Sequence, residues 1–304
     1  MLTVDFINVG YGDAVLIRDS QADFSMLVDC GDITVGDGGP GSARISAAEF
    51  LRRESIRDLD LLVLTHLHRD HSGGLTELLK TVRVKAFWTN YLPSPAFWGE
   101  SFPVPDTFSA GARCLLESMN IYLDALRTMG AQGTVIKQMD EHYALHPLTP
   151  NLQAEIHLED AALHRRQAEI WQDVLAGRPD NTALNELDGF INNTSIRMRL
   201  YCGGKTLELP GDVYANCWEQ HQLSPCTIVK LPHHGHRDSV TPKLLEMLQP
   251  EHVVISVSNS RTDDCPSKAV LQAVEKLGSP LHITDAVPLA GNAPVSHASV
   301  HFEF

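Results

Sequence analysis

The residues best suited to chemistry are crowded into "THLHRDHSGG", residues 65–74. Imidazole and carboxylate groups bind Zn²⁺ readily, with Mn²⁺ or Fe as alternatives. His66 and His68 are two positions apart, so in an extended backbone their side chains share one face and can bind one ion. Asp70 and His71 follow where the chain turns into a helix, and they cannot easily reach that same ion. The spacing therefore predicts two adjacent metal sites.

Two later stretches could supply the remaining ligands. "LPGDV" places Asp212 at the end of a predicted strand, where one carboxylate could bridge two ions. "KLPHHGHRDS" places His233 and His234 after another strand, and the sequence leaves open which of them binds metal. Gly73 and Gly74 are expected to allow a sharp turn and close packing beneath the ions. Two ions about 3.5–4 Å apart can share one hydroxide and clamp the oxygens of an in-line displacement, which predicts hydrolysis by water.

The composition limits the partners. The net charge of −14 opposes tight binding to a long polyanion, because such binding depends on a basic face. No apolar run approaches the roughly 18 residues of a membrane span, and the first ten residues do not resemble a signal peptide. The six cysteines form no C-x-x-C pair, so we expect reduced thiols in a cytoplasmic protein without membrane contact. The arginines that could meet a phosphate are expected to be solvated: Arg52 and Arg53, Arg165 and Arg166, Arg197 and Arg199.

The elements that must position these residues alternate between hairpins and βα units. A hairpin meander over residues 2–29 precedes the buried strand 58–65, which leads into the first histidines. A second hairpin spans 195–209, and βα units follow it. This order predicts an α/β protein with one domain over 1–304, in which two mixed β-sheets are flanked by helices in a four-layer αββα sandwich. The proline-rich and aromatic stretch that begins at residue 91 predicts a lid or substrate-loop insertion over 91–130, or a surface insertion that folds on its own aromatics.

Several motifs resemble one family. "THLHRDHSGG" matches the H-x-H-x-D-H signature of metallo-β-lactamase-fold hydrolases. "INVGYGDAVLI", "LVDCGD", "NNTS", "LPGDV" and "VKLPHHGHRDS" resemble the ComEC-type competence hydrolase domain and its free-standing relatives. The resemblance implies the αββα sandwich, a dinuclear site at the edge between its sheets, and phosphodiesterase or nuclease-like chemistry.

The same resemblance implies a role for each site residue. Asp29 would orient a ligand histidine without binding metal itself, although an aspartate at such a place can also be a turn residue. Asp70 would also accept a hydrogen bond from the attacking water, and His233 could protonate the leaving group. The ligands would be His66 and His68 on metal one, Asp70, His71 and His234 on metal two, and Asp212 between them.

Two positions depart from the wider family. Asn192 or Asn193 stands where metal one usually gains a third histidine, so both are expected beside that site, and metal one is expected to be weaker or absent. His236 replaces a serine that is common among the relatives. The histidines that could replace the missing ligand, each more simply a surface or hydrogen-bonded residue, are His142, His146, His157 and His164.

Three functions are compatible with these observations. The first is a zinc-dependent phosphodiesterase, whose substrate would be a small phosphoester or nucleotide, since the acidic charge disfavours nucleic acid. The second is a metallohydrolase of carboxylic esters, thioesters or lactones, which needs no phosphate-binding charge. The third is a catalytically idle, metal-folded binding module. The sequence leaves the oligomeric state open.

Overall fold

The computed structural model describes residues 1–140, 143–259, 265–287 and 296–304. Two seven-stranded β-sheets pack face to face, and helices cover their outer faces. The predicted four-layer αββα sandwich is confirmed.

The first sheet has the spatial order β14-β1-β2-β3-β4-β5-β6. Strands β14 to β3 are antiparallel to their neighbours, whereas β3 to β6 run parallel. Its strands are β1 (Leu2–Ile7), β2 (Val15–Asp19), β3 (Phe24–Val28), β4 (Asp58–Leu64), β5 (Arg83–Thr89), β6 (Val135–Gln138) and β14 (Ser299–Glu303).

The second sheet has the order β13-β12-β11-β10-β9-β8-β7, with parallel pairs from β13 to β10 and antiparallel pairs from β10 to β7. Each sheet is therefore parallel at one end and antiparallel at the other. Its strands are β7 (Ala144–Thr149), β8 (Leu152–His157), β9 (Arg197–Cys202), β10 (Lys205–Leu209), β11 (Ile228–Lys230), β12 (His252–Ile255) and β13 (Leu281–Ile283).

The helices divide between the two outer faces. Those that pack on the first sheet or near it are α1 (Ala47–Arg53), α2 (Arg69–Ser72), α3 (Leu75–Leu78), α4 (Ala110–Gln132), α5 (Ala161–Leu175) and α6 (Asn181–Phe190). Those on the second sheet are α7 (Ala215–Trp218), α8 (Pro242–Leu248) and α9 (Lys268–Leu277). Within the described ranges, no helix is both long and apolar enough to cross a bilayer.

Strand β4 shows how the sequence encodes the layers. Leu61 and Val63 point into the core between the sheets, and Leu62 and Leu64 point into the core under the helices. Successive side chains in a strand face opposite ways, so a strand that is covered on both faces has an uninterrupted apolar run. The run that precedes the first histidines is therefore a central strand.

The parallel strands place three loops at one edge of the sandwich. The segment after β4 carries the first histidines, and the segments after β10 and β11 carry Asp212 and His234. Because parallel strands end at the same edge of a sheet, each sheet brings its loops to one side. The edge where the two sets of loops meet holds the site.

Some elements go beyond what the sequence predicted. Helix α1 begins at Ala47, where Ser46 caps it by accepting the Glu49 N–H. Helix α6 and strand β14 were not predicted. Residues 91–109 are irregular apart from a 3₁₀ turn at Pro95–Phe97, and α4 packs into the core under the first sheet. A lid role for 91–130 stays a prediction.

Candidate metal centre

The first pair of histidines faces a common point. His66 is fully buried, and its Nε2 lies 3.2 Å from Nδ1 of His68. The other nitrogen of His66, Nδ1, lies 3.1 Å from Thr65 Oγ1 and 3.2 Å from Ser195 Oγ. These hydroxyls fix the ring, so Nε2 of His66 and Nδ1 of His68 are the two nitrogens placed to share an ion.

A second set of donors lies beside this pair. Asp70, His71, Asp212 and His234 each offer one ligand atom, and the four atoms lie within 4.8 Å of one another. Nε2 of His234 is 3.0 Å from Asp70 Oδ2, and Nε2 of His71 is 3.2 Å from Asp212 Oδ2. The rings of His66 and His71 have centroids 4.2 Å apart, so the two sets adjoin.

The backbone around the first motif explains its glycines. Gly73 and Gly74 form the turn between α2 and α3, with ordinary right-handed φ values of −62° and −73°. A Cβ on Gly73 would lie 2.4 Å from Ile33 N, and a Cβ on Gly74 would lie 2.1 Å from Cys30 O. Glycine is needed here because the neighbouring loop packs directly against the backbone.

The two adjacent histidines of the later motif have different surroundings. Both have positive φ, 48° at His233 and 53° at His234, a conformation that non-glycine residues adopt rarely and that is found at functional sites. His234 Nδ1 lies 3.0 Å from the Ser256 carbonyl, so Nε2 is the nitrogen that faces the other ligand atoms of the second set. His233 Nδ1 instead lies 2.8 Å from Asp238 Oδ1. The structure thus places His234 within the donor cluster and His233 beside it.

Asp29 lies directly behind His71. Its Oδ1 accepts the Thr65 N–H at 2.8 Å, and its Oδ2 lies 2.8 Å from both Thr65 Oγ1 and His71 Nδ1. Burial would lower the pKa of His71, but Asp212 and Asp29 outweigh it and raise that pKa. The carboxylate of Asp29 thus directs Nε2 of His71 toward the donor cluster, as expected for a residue that orients a ligand.

The charges of the site favour a cation. Asp13, Asp29, Asp70 and Asp212 lie in or behind the cluster, and Lys230 contacts two of them, Asp13 and Asp212. Burial would raise the pKa values of Asp70 and Asp212, but the neighbouring histidines hold both below their ordinary range. Burial, together with His71 and His68, lowers the pKa of His66. Imidazole nitrogens beside several carboxylates fit a divalent cation.

The comparisons with known proteins agree with this donor set. Residues 7–258 match the model of the metallo-β-lactamase superfamily. The chain belongs to the metallo-β-lactamase superfamily. Family membership and the clustered donors together identify it as a metal-dependent hydrolase.

A curated relative and two solved structures resemble this superfamily member. ComE operon protein 3 of Bacillus subtilis strain 168 is 23% identical over 286 residues, which cover 90% of this chain and 30% of that protein. The chain thus spans less than a third of that relative. The metallo-β-lactamase fold protein YhfI from Bacillus subtilis has a TM-score of 0.53 and 12% identity over 100% of both chains. A mutant of the β-hydroxylase CmlA has a TM-score of 0.50 and 10% identity over 100% of this chain and 54% of the other. These two structures show the fold alone.

Asn192 and Asn193, expected where relatives have a third histidine, lie in a 3₁₀ turn, Ile191–Thr194. Asn193 Oδ1 accepts the Tyr214 N–H at 2.9 Å, and Asn192 Nδ2 donates to the Tyr214 hydroxyl at 3.3 Å. Among the residues that the structure describes, the buried Oδ1 of Asn192 has no hydrogen-bond partner. Both side chains therefore hold the loop that follows Asp212.

Of the histidines considered as replacements, the three in the described ranges lie elsewhere. His146 packs against Trp88 at a ring distance of 5.0 Å, and His157 lies 3.3 Å from Glu155. His164 lies on α5, outside the donor cluster. His142 lies outside the described residues. His236 stacks on His233 with ring centroids 4.7 Å apart.

Three residues of the site were not singled out from the sequence. Asp188 Oδ1, on the unpredicted helix α6, lies 3.5 Å from Nε2 of His68. Asp13 and Lys230 form a buried ion pair behind the donors. Asp13 stands in the quoted motif "INVGYGDAVLI", but no role was assigned to it, and nothing local marks Lys230 as its partner.

The arginines offered for phosphate binding are mostly engaged with acids. Arg197 and Arg199 are 1% and 7% exposed, so the expectation that they are solvated is wrong. Arg197 Nε pairs with Glu159 and Arg199 with Glu208, each at 2.6 Å. The remaining pairs lie on the surface: Arg52 and Arg53 contact Glu49, and Arg166 contacts Glu169 and Glu186.

Proposed function

We propose that the chain is a phosphodiesterase whose substrate is a small phosphoester or a nucleotide. The observation that carries the proposal is the pair of adjoining donor sets at one edge of the sandwich, His66 with His68 and the cluster around Asp212. Two adjoining sites suit an in-line displacement at phosphorus, which needs charge on both the attacking and the leaving oxygen. The likeness of the motifs to the ComEC-type hydrolase domain supports the same class of substrate.

Zinc is the proposed ion, because nitrogen and carboxylate ligands suit it first, and Mn²⁺ or Fe are alternatives. Bound ions would neutralise phosphoryl oxygens and lower the pKa of a nearby water. The second set is the more complete, so we propose that it fills first and that the first set binds more weakly. The proposed ligands are His66 and His68 in the first set, Asp70, His71 and His234 in the second, and Asp212 between them.

Asp70 is proposed to orient the attacking water. Its Oδ2 lies against His234, while the side chain keeps 16% of its surface exposed, unlike the fully buried His71 and His234. An ionised carboxylate at the open side of the cluster can accept a hydrogen bond from water. Asp70 would then both hold an ion and fix the direction of attack.

His233 is proposed to donate a proton to the leaving oxygen. Asp238 holds its Nδ1 at 2.8 Å, so Nε2 is the atom from which a proton can be passed on. The side chain is 20% exposed, and its backbone N–H donates to Asp212 Oδ1 at 2.9 Å. This contact supports the role, because it sets His233 beside the carboxylate that we propose to lie between the two donor sets.

A cleft of about 420 Å³ is proposed to receive the organic part of the substrate. Its residues 91–94 follow β5, which runs parallel to β4, so they lie at the same edge as the metal-ligand donors. Asn90, next to the cleft, donates to the Thr194 carbonyl at 2.7 Å, and the following residue, Ser195, contacts His66. A larger cleft of about 740 Å³ lies around Asp58 and Arg83, the first residues of β4 and β5, and hence at the opposite edge.

The lining of the nearer cleft supports an aromatic or apolar group rather than a charged one. It consists of Tyr91, Leu92, Pro93, Ser94, Phe97, Gln138, Ala168, Gln172 and Leu175. Aromatic side chains stack on a nucleobase or cover an apolar leaving group. The same neutral lining favours a second candidate, a hydrolase of carboxylic esters or lactones, which needs no cationic pocket.

The test is turnover of bis(p-nitrophenyl) phosphate against p-nitrophenyl acetate by metal-stripped protein with Zn²⁺ or Mn²⁺ restored. We expect metal-dependent cleavage of the diester that is lost in Asp212→Ala and His68→Ala. His282→Ala is the matched control. His282 lies 3.2 Å from His252 and outside the two donor sets. Cleavage of the acetate alone would support the second candidate, and the absence of metal uptake would contradict both.

The cleft has its own test. Phe97→Ala should raise KM for the aromatic diester while kcat changes little, because Phe97 lines the cleft and does not contact the donors. Val135→Ala is the control, since Val135 is 70% exposed and lies outside the cleft. An unchanged KM in Phe97→Ala would show that the substrate binds elsewhere.

A further inference from the structure

Lys230 is buried at the last position of β11, four residues before His234. Its ammonium group contacts the Asp13 carboxylate, the Gly211 carbonyl at 3.4 Å and Asp212 Oδ1 at 3.5 Å. These contacts are a hydrogen bond to Asp13, a longer one to Gly211 and an ion pair with Asp212. The lysine is therefore fixed in one orientation behind the donor cluster.

Asp13 joins this lysine to the other sheet. Its backbone N–H donates to the Asp70 carbonyl at 3.2 Å, and its own carbonyl accepts the Gly31 N–H at 2.8 Å. Asp13 follows β1 and precedes β2 in the first sheet, whereas Lys230 belongs to the second. The ion pair therefore links the two sheets beneath the residues that we propose as ligands.

The two oxygens of Asp212 are divided by these contacts. Oδ1 accepts the His233 N–H at 2.9 Å and lies 3.5 Å from Lys230 Nζ. Oδ2 faces Nε2 of His71 at 3.2 Å and Nε2 of His234 at 3.5 Å. The His233 N–H and the Lys230 ammonium group thus contact one oxygen of Asp212, and the other oxygen faces the proposed ligand histidines.

We propose that Lys230, held by Asp13, is a positioning residue that sets the orientation of Asp212 and thereby the metal affinity of the centre. The inference rests on the proposed function, because it assigns Asp212 to the metal. Its alternative is a purely structural ion pair, whose removal would affect folding but not metal binding. A buried ion pair can often be replaced by neutral side chains of similar size without loss of stability, whereas removal of one partner leaves an unpaired charge.

The experiment compares Lys230→Met with the double variant Lys230→Met, Asp13→Asn. Methionine matches the lysine in length, and the void beside Lys230 measures only about 10 Å³ and leaves no room for a larger group. The matched control is Arg44→Met, Asp285→Asn, which neutralises another buried pair, 2.8 Å long, whose two side chains are 3% and 0% exposed. Neither Arg44 nor Asp285 contacts the donors.

Zn²⁺ affinity is measured by competition with a chelator, and the Co²⁺ absorption spectrum reports ligand geometry. We expect at least tenfold weaker Zn²⁺ binding and an altered Co²⁺ spectrum in both Lys230 variants, with the double variant recovering part of the thermal stability that the single variant loses. The control pair should bind Zn²⁺ as the wild type does. A double variant with wild-type affinity and spectrum would overturn the proposal.

The readout uses metal alone, so it separates this proposal from the proposed reaction. A wild-type protein that binds Zn²⁺ but cleaves no phosphodiester would contradict the phosphodiesterase, and the comparison of affinities would still decide the role of Lys230.

Discussion

Replacement of Asp29 by asparagine should weaken zinc binding by altering His71 without touching a ligand. In the wild type, Oδ2 of Asp29 lies 2.8 Å from His71 Nδ1 and accepts its proton. The amide nitrogen of asparagine would stand in that place and can only donate. His71 would then carry its proton on Nε2, the nitrogen 3.2 Å from Asp212 Oδ2. A protonated nitrogen cannot bind metal.

The magnitude follows from these contacts. Loss of the group that orients a ligand histidine costs about 10–100-fold in metal affinity, which corresponds to about 1.4–2.7 kcal/mol. If the amide turns the other way, its nitrogen faces the Thr65 N–H, which Asp29 now accepts at 2.8 Å. That orientation opposes two N–H donors in a buried site, at a cost of about 1–3 kcal/mol of unfolding free energy, so the first orientation is favoured.

The assay is Zn²⁺ competition with a chromophoric chelator, beside urea unfolding of the stripped protein. The backbone does not confound the result, since Asp29 has a φ of 59°, which asparagine also tolerates. Asp32→Asn is the control, because Asp32 lies in the same loop as Asp29. Its carboxylate pairs with Arg69 at 2.9 Å and contacts no histidine of the site. Wild-type affinity in an Asp29→Asn protein that unfolds more easily would refute the reasoning.

Two further predictions concern stability. Gly12→Ala should lower the unfolding free energy and zinc uptake far more than Gly133→Ala, because both glycines have positive φ but only at Gly12 would a Cβ meet a backbone oxygen, at 2.2 Å. Equal losses in urea unfolding would contradict this. Burial would raise the pKa of Asp285, but backbone N–H groups and the Arg44 guanidinium outweigh it and lower that pKa. The stabilisation is therefore present above the unfolded value of about 3.9 and is lost as the pH falls through the folded pKa. Asp285→Asn should flatten the fall of unfolding free energy below about pH 4, and an unchanged slope in urea unfolding would contradict it.

The sequence was sufficient to predict the site residues whose positions follow from local spacing. His66 and His68 share a point because the backbone at His68 is extended, with φ −73° and ψ 149°. Asp212 and His234 were predictable because each lies within four residues of the end of a strand, and the parallel strands of one sheet end at the same edge.

Contacts between distant segments left no such signal. The pair of Asp13 and Lys230 joins residues 217 positions apart, and an aspartate after a glycine is typical of any turn. Asp188 was missed because it lies in α6, "NTALNELDGF", whose few apolar residues do not mark a helix clearly.

The arginines of β9 show a different limit. Met198 and Leu200 face the core between the sheets, so Arg197 and Arg199 must face the other way. Alternation alone predicts a solvated face there. In the structure Trp218 of α7 covers Arg197, whose guanidinium carbon lies 5.4 Å from the ring centre. A strand pattern indicates which side chains share a face but not what packs against that face.

The pairing of β1 with β14 has a consequence for folding. Thr3 pairs with Glu303 and Ile7 with Ser299, so the neighbour of β1 on one side comes from the far end of the described chain. Before residues 299–303 have been synthesised and have paired, the N–H and C=O groups on that side of β1 have no strand partner. The exposed edge also carries Val4 and Phe6, which belong to the core between the sheets. Pairings this distant in sequence form slowly, and an open edge on a partly folded chain promotes association with other chains. The completion of the first sheet, and with it protection from aggregation during synthesis, therefore depends on a five-residue strand that contributes nothing to the metal centre.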